Sequence, residues 1–141
     1  MKDSTYDFLY AEEMNHWWYR VRRQLVKKII RTYAKERKEP LRILDIGCGA
    51  GALMRELEEF GEVSGVDISP RAIEYCRERG LTRVREADAA RLPFEEESFD
   101  VVVMLDVLEH LEDDVAGSTE VARVLKSGGL AVIAVPAFMF L

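Results

Sequence analysis

The run Leu41-Arg42-Ile43-Leu44-Asp45-Ile46-Gly47-Cys48-Gly49-Ala50-Gly51 constrains this chain more than any other stretch. Leu41–Ile46 is a strand candidate, and three glycines follow within five positions. They permit a tight turn and let a ligand approach backbone N–H groups. A helical pattern then continues to about Glu59. A strand that passes through a glycine-rich turn into a helix is the opening unit of an α/β sheet.

The remaining sequence keeps that rhythm. Val63–Val66 predicts a second short strand ending at Asp67. Ser69-Pro70 starts a helix, because serine caps and proline suits the first helical position. That helix is expected to reach Arg79 and stop at Gly80. A weakly written third strand near Thr82–Glu86 leads to Asp88. Phe99–Leu105 is apolar and β-branched, as befits a strand buried on both faces. Val115–Lys126 reads as helix closed by Ser127-Gly128-Gly129, and Leu130–Val135 as a fifth strand halted by Pro136. The alternation predicts a Rossmann-like open parallel sheet of about five strands with helices on both faces.

Ahead of the sheet, Ser4–Lys38 predicts one long helix, with Pro40 marking its end. Two parts are therefore expected: an N-terminal helical segment over residues 1–40, packed on a domain over 41–141. Trp18, Val21, Leu25 and Ile29 form an apolar stripe, so Trp18 is expected in the core. Arg20, Arg22, Arg23, Lys27, Lys28 and Arg31 lie largely off that stripe. For Trp17, Tyr19 and Arg20 two readings stand: packing with a solvated basic face, or a lid over a ligand with Arg20 meeting an anionic group.

Bulk properties narrow the function classes. A chain of 141 residues suits one domain. Its net charge of −6 argues against holding nucleic acid through an overall positive field. Cys48 and Cys76 lack metal-type spacing and read as reduced thiols. The N-terminus has no apolar signal region and no stretch suits a membrane span, so a cytoplasmic location is expected.

In an open parallel sheet ligands bind beyond the carboxyl ends of the strands. Asp45, Asp67 and Asp88 each lie at or just after the end of a successive strand. An acidic side chain at Asp67 can accept hydrogen bonds from both hydroxyls of a nucleoside ribose. Asp88 is placed to accept from an adenine amino group.

These residues carry a family resemblance. Leu44–Gly51 resembles motif I of class I S-adenosylmethionine-dependent methyltransferases. Val66-Asp67-Ile68-Ser69 is similar to their acidic loop, and Ala87-Asp88-Ala89 with Leu92-Pro93-Phe94 to their adenine-contacting loop. Ser98–Val102 and Leu108-Glu109-His110-Leu111 resemble the fourth strand and its following turn. Leu125–Gly129 resembles the turn before the fifth strand, with Ser127 in place of the usual proline. The resemblance covers roughly residues 41–136 and is strongest to the small-molecule group often labelled type 11. His16-Trp17-Trp18-Tyr19-Arg20 resembles a helix preceding motif I in some members.

The resemblance implies S-adenosylmethionine as cofactor and an unidentified small-molecule acceptor. Gly47, Cys48 and Gly49 would lay backbone against the methionine part, and Asp45 would orient its amino group. Asp67 would bind the ribose, Ile68 and Ala89 would line the adenine pocket, and Asp88 would take the exocyclic amine. The backbone at Leu105 and Asp106 would flank the sulfonium. Methyl transfer asks mainly for positioning and desolvation. His110 is therefore the one candidate base, with structural capping as the alternative. Asp106, Glu109 and His110 also resemble a metal-binding variant, against the plainer reading of a solvated helix start.

Family members carry seven strands, the last two an antiparallel hairpin. This chain ends at Pro136-Ala137-Phe138-Met139-Phe140-Leu141, so a truncation after the fifth strand is expected. The exposed strand edge would then favour a homo-oligomer. Two other functions fit parts of the pattern. Gly47-x-Gly49-x-x-Ala52 also satisfies a dinucleotide motif, as in an NAD-dependent oxidoreductase, although Asp45 occupies a usually apolar position. A non-catalytic S-adenosylmethionine-binding module is the other.

Overall fold

A computed structural model describes residues 2–135. Five strands form one parallel sheet: β1 (Leu41–Ile46), β2 (Gly61–Asp67), β3 (Val84–Glu86), β4 (Phe99–Leu105) and β5 (Leu125–Ala134). Their spatial order is β3-β2-β1-β4-β5. The order reverses between β1 and β4, which opens a crevice beyond their carboxyl ends. Asp45 lies level with Gly65 of β2 and Val103 of β4, so three strands end together there.

Helices α1 (Asp3–Glu12), α2 (Trp17–Ala34), α3 (Ala52–Leu57), α4 (Pro70–Glu78) and α5 (Asp114–Val124) cover the sheet. Alternate residues of β1 and β4 enter two apolar layers. Ile43, Val101 and Val103 pack with Met54, Ile73, Val26 and Ile30 from the helices on one face. Leu44, Ile46, Val102 and Met104 pack with Val121 and Val124 of α5 on the other. Burial on both faces is why these strands read as apolar runs rather than alternating ones.

Local chemistry fixes the helix ends. Ser69 Oγ accepts the Ala72 N–H at 3.4 Å, with Pro70 in the first turn of α4. Asp113 likewise accepts the Ala116 N–H at 2.9 Å to start α5. β1 and β4 occupy the ranges expected from sequence.

Three expectations are corrected. The N-terminal segment is two helices, not one: the chain turns at Glu13–His16, where the His16 ring accepts the Trp18 N–H. The turn sends the Glu13 side chain inward to pair with Arg79. No proline or glycine marks it.

Second, the stripe Trp18, Val21, Leu25 and Ile29 faces outward, with Trp18 47% exposed, while α2 packs through Val26 and Ile30. Arg23 interrupts this inner face yet is only 6% exposed. Its Nε donates to Glu56 and its Nη1 to the Glu13 carbonyl at 2.7 Å, so the Glu56 carboxylate meets its charge.

Third, α5 ends at Val124 and β5 begins at once, where a helix to Lys126 and a turn were expected. Leu125 pairs with Phe99 and Leu130 with Val101, so the residues between them bulge from the ladder. A Cβ on Gly129 would meet the Asp100 carbonyl at 2.9 Å, which keeps that position a glycine. The Gly128 carbonyl accepts from the Tyr33 hydroxyl at 2.9 Å, tying the bulge to α2. The expected stop at Pro136 lies outside the described residues.

Candidate functional site

A cavity of about 680 Å³ opens at the crevice. Around it stand Asp45, Gly47, Cys48, Gly49, Asp67, Ile68, Asp88, Ala89, Leu105 and Asp106. All ten residues expected from sequence to contact a cofactor are thus brought to one space, and His110 lies on the same wall.

The glycine-rich turn forms the floor. Gly47 and Cys48 both donate backbone N–H to the Val66 carbonyl, at 2.8 and 3.0 Å, which locks the turn onto β2. Gly47 has φ +72 and a Cβ there would collide with the Val107 side chain. Both conditions demand glycine. Cys48 and Cys76 are free, buried thiols with sulfurs 3.8 Å apart. Their mutual hydrogen bond and their burial push the Cys48 thiol up, away from the reactive thiolate.

Asp67 is held in place by backbone donors. Its Oδ2 accepts the Gly49 N–H at 2.9 Å and its Oδ1 the Ser69 N–H at 3.0 Å. The hydroxyl of Tyr6 on α1 also donates to Oδ1 at 2.9 Å. Burial and the Asp67 carboxylate push the Tyr6 phenol well above its ordinary value. Asp45 is 3% exposed. Burial first, then the charges of Asp67 and Glu13, pushes its carboxyl up to about 8, with Arg22 pulling the other way.

Across the cavity, Asp106 follows β4 with φ +56, a left-handed conformation that aspartate tolerates better than most side chains. Its N–H donates to the Ala134 carbonyl at 2.9 Å, and its carboxylate pairs with Arg22 of α2. Asp88 is exposed, and its Oδ1 accepts the Ala90 N–H at 2.8 Å. Ile68 is 62% exposed at the rim.

The structure also corrects the set. Trp17 and Arg20 do not line the cavity; Tyr19, Arg22 and Arg23 do. Asp106, Glu109 and His110 form no metal set: among the described residues no three His, Cys, Asp or Glu side chains could hold a metal ion. Asp106 is turned to Arg22, while His110 Nε2 faces Glu109 at 3.6 Å. Sequence reasoning missed Tyr6 and Glu13 altogether, and it placed Arg22 and Arg23 on a basic face rather than at the cavity. Tyr6 is the sole buried residue of α1, a helix with little apolar pattern to mark it.

A family model described as a methyltransferase domain matches residues 44–133. The chain is 41% identical over 100 residues to a ubiquinone biosynthesis O-methyltransferase of Cereibacter sphaeroides, a match covering 67% of this chain and 40% of that protein. The chain thus spans about two-fifths of the curated relative's length. Among solved structures, the PH0226 protein from Pyrococcus horikoshii superposes with a TM-score of 0.67 at 32% identity, over 89% of this chain and 61% of that one. An S-adenosylmethionine-dependent methyltransferase from Mesorhizobium loti gives 0.63 at 31% identity, over 75% and 51%.

Proposed function

Because this chain belongs to the methyltransferase domain family that matches it over residues 44–133, we propose that it binds S-adenosylmethionine in the crevice and transfers the methyl group to a small molecule. The observation that carries this reading is the convergence of Asp45, Asp67, Asp88 and the Gly47–Gly49 backbone on one cavity. The cofactor fits the donor set: Gly47, Cys48 and Gly49 line the cavity, and the carboxyl groups of Asp45, Asp67 and Asp88 border it, as suits a ligand that bears hydroxyls and an ammonium group.

In this reading Asp67 accepts from the ribose hydroxyls and Asp45 orients the amino group. Gly47, Cys48 and Gly49 lie along the methionine part. Ile68 and Ala89 flank the adenine, Asp88 takes its exocyclic amine, and the backbone of Leu105 and Asp106 borders the reacting centre. The cofactor supplies a methyl group on positively charged sulfur, open to in-line displacement. The protein's share is to align the acceptor and exclude water.

The relative's role as an O-methyltransferase in ubiquinone biosynthesis supports a hydroxyl acceptor on a small molecule. Such a hydroxyl must lose its proton, and His110 on the cavity wall is the candidate base. The nicotinamide reading loses its support with the family assignment. Further parts of the proposal are a helical segment over residues 1–40 that helps roof the cofactor domain of 41–141, a cytoplasmic location, and self-association through β5. No helix among the described residues is long and apolar enough to cross a membrane.

Calorimetric titration tests the core of the reading. Saturable binding of S-adenosylmethionine, reduced at least about 30-fold by Asp67→Ala, is expected from the loss of charged hydrogen bonds. Binding of NAD instead, or an unaffected Asp67→Ala variant, would overturn it.

A further inference from the structure

The carboxylate assigned to the ribose already serves three donors. Oδ1 accepts from the Tyr6 hydroxyl and the Ser69 N–H, at 2.9 and 3.0 Å, and Oδ2 from the Gly49 N–H at 2.9 Å. A carboxylate offers about four lone-pair sites, two on each oxygen. Oδ1 is therefore saturated and Oδ2 has one site left. A ribose diol that spans the carboxylate needs one site on each oxygen, so one present donor must leave.

The three donors differ in freedom. The Gly49 and Ser69 N–H groups belong to the backbone of the turn and of the α4 cap. Tyr6 is a side chain on α1, and contacts other than its hydroxyl also dock that helix. Tyr10 stacks on Tyr75 of α4 with ring centroids 4.2 Å apart, Asp7 pairs with Arg71 at 2.9 Å, and Arg79 donates to the Tyr10 carbonyl at 3.0 Å. The Tyr6 hydroxyl can withdraw while α1 stays in place.

From this we infer that the Tyr6 hydroxyl is a built-in surrogate for one ribose hydroxyl, displaced from Asp67 Oδ1 when a nucleoside cofactor binds. The inference rests on the S-adenosylmethionine reading of the cavity. Tyr6 then has two effects. It keeps the buried carboxylate satisfied between turnovers, where an unmet charge is costly. It also weakens the binding of any ligand that brings the Oδ1-facing hydroxyl, since that hydroxyl must first displace it. A purely structural Tyr6, anchoring α1 to the core, would lack the second effect.

The test compares wild type, Tyr6→Phe and Asp67→Ala by calorimetry with S-adenosylhomocysteine and with its 2′-deoxy and 3′-deoxy analogues. Tyr6→Phe keeps the buried ring and removes the competing donor. It is expected to bind S-adenosylhomocysteine about three- to tenfold tighter, a fraction of the strength of a charged hydrogen bond. The gain should persist with the deoxy analogue that keeps the Oδ1-facing hydroxyl and vanish with the other.

Equal or weaker binding by Tyr6→Phe, with Asp67→Ala defective, would overturn the inference and leave the cofactor reading standing. So would the same gain with both deoxy analogues. A wild-type chain that does not bind, or an Asp67→Ala variant that binds as wild type, would remove the cofactor reading and the inference together. If Tyr6→Phe melts below the assay temperature, 3-fluorotyrosine at position 6 supplies a second readout. Its fluorine resonance should shift on adding S-adenosylhomocysteine, and a resonance unmoved at saturation would overturn the displacement.

Discussion

At Asp45 the fold holds a carboxyl almost wholly out of water, beside Asp67 and Glu13, with only Arg22 in opposition. The folded group keeps its proton up to about pH 8, whereas in the unfolded chain it loses it near roughly pH 4. Between those values the folded state binds more protons than the unfolded one. Its contribution to stability therefore falls as pH rises through the window and is level above it. Asp45→Asn removes that titration. The variant is expected to gain about 1–3 kcal/mol over wild type at pH 8.5 and nearly nothing at pH 4.5, as read by urea unfolding at the two pH values. The same variant should bind S-adenosylmethionine more weakly. A gain independent of pH would show that burial at Asp45 does not raise its proton affinity. Asp45, Asp67 and the glycines were legible from sequence because their positions follow from strand ends and turn geometry. Tyr6 and Glu13 were not, because their value lies in contacts 61 residues away to Asp67 and 66 away to Arg79, which no local pattern records.

Among the elements, α2 shows how a buried charge misleads periodicity. Two apolar series run along it, and the outer one looks cleaner because Arg23 breaks the inner one. Once Arg23 is paired with Glu56 and the Glu13 carbonyl, the inner face of Val26 and Ile30 can reach the sheet. Ile30→Ala should then cost about 2–4 kcal/mol, while Leu25→Ala, on the outer stripe, should stay within about 0.5 kcal/mol. Thermal or urea unfolding of both variants decides between the faces; the reverse ranking would restore the sequence-derived stripe. β1 and β4 were readable because a strand covered on both faces has no alternation to disguise. The start of β5 was not. A bulge and a helix stop both call for adjacent glycines, and only pairing with Phe99 separates them.

For the molecule as a whole, the order β3-β2-β1-β4-β5 leaves β5 paired with β4 alone among the described residues. Ile133 and Val135 lie exposed near the end of that strand. A row of free backbone groups beside exposed branched side chains is a template for pairing with another strand. Self-association through β5 would cover both at once, and a two-fold arrangement would set the same surface of each copy against the other. Sedimentation of the chain at tens of micromolar is expected to show a concentration-dependent dimer. Ile133→Lys places a charge where the second copy would pack, and it should shift the profile to monomer. Because Ile133 is 43% exposed, the substitution should leave the melting temperature within a few degrees of wild type when both are measured in dilute solution. A wild-type chain that sediments as a strict monomer would refute the pairing. A dimer that survives Ile133→Lys would place the contact elsewhere, and the outward stripe of α2, with Trp18, Val21 and Leu25, would be the next surface to substitute.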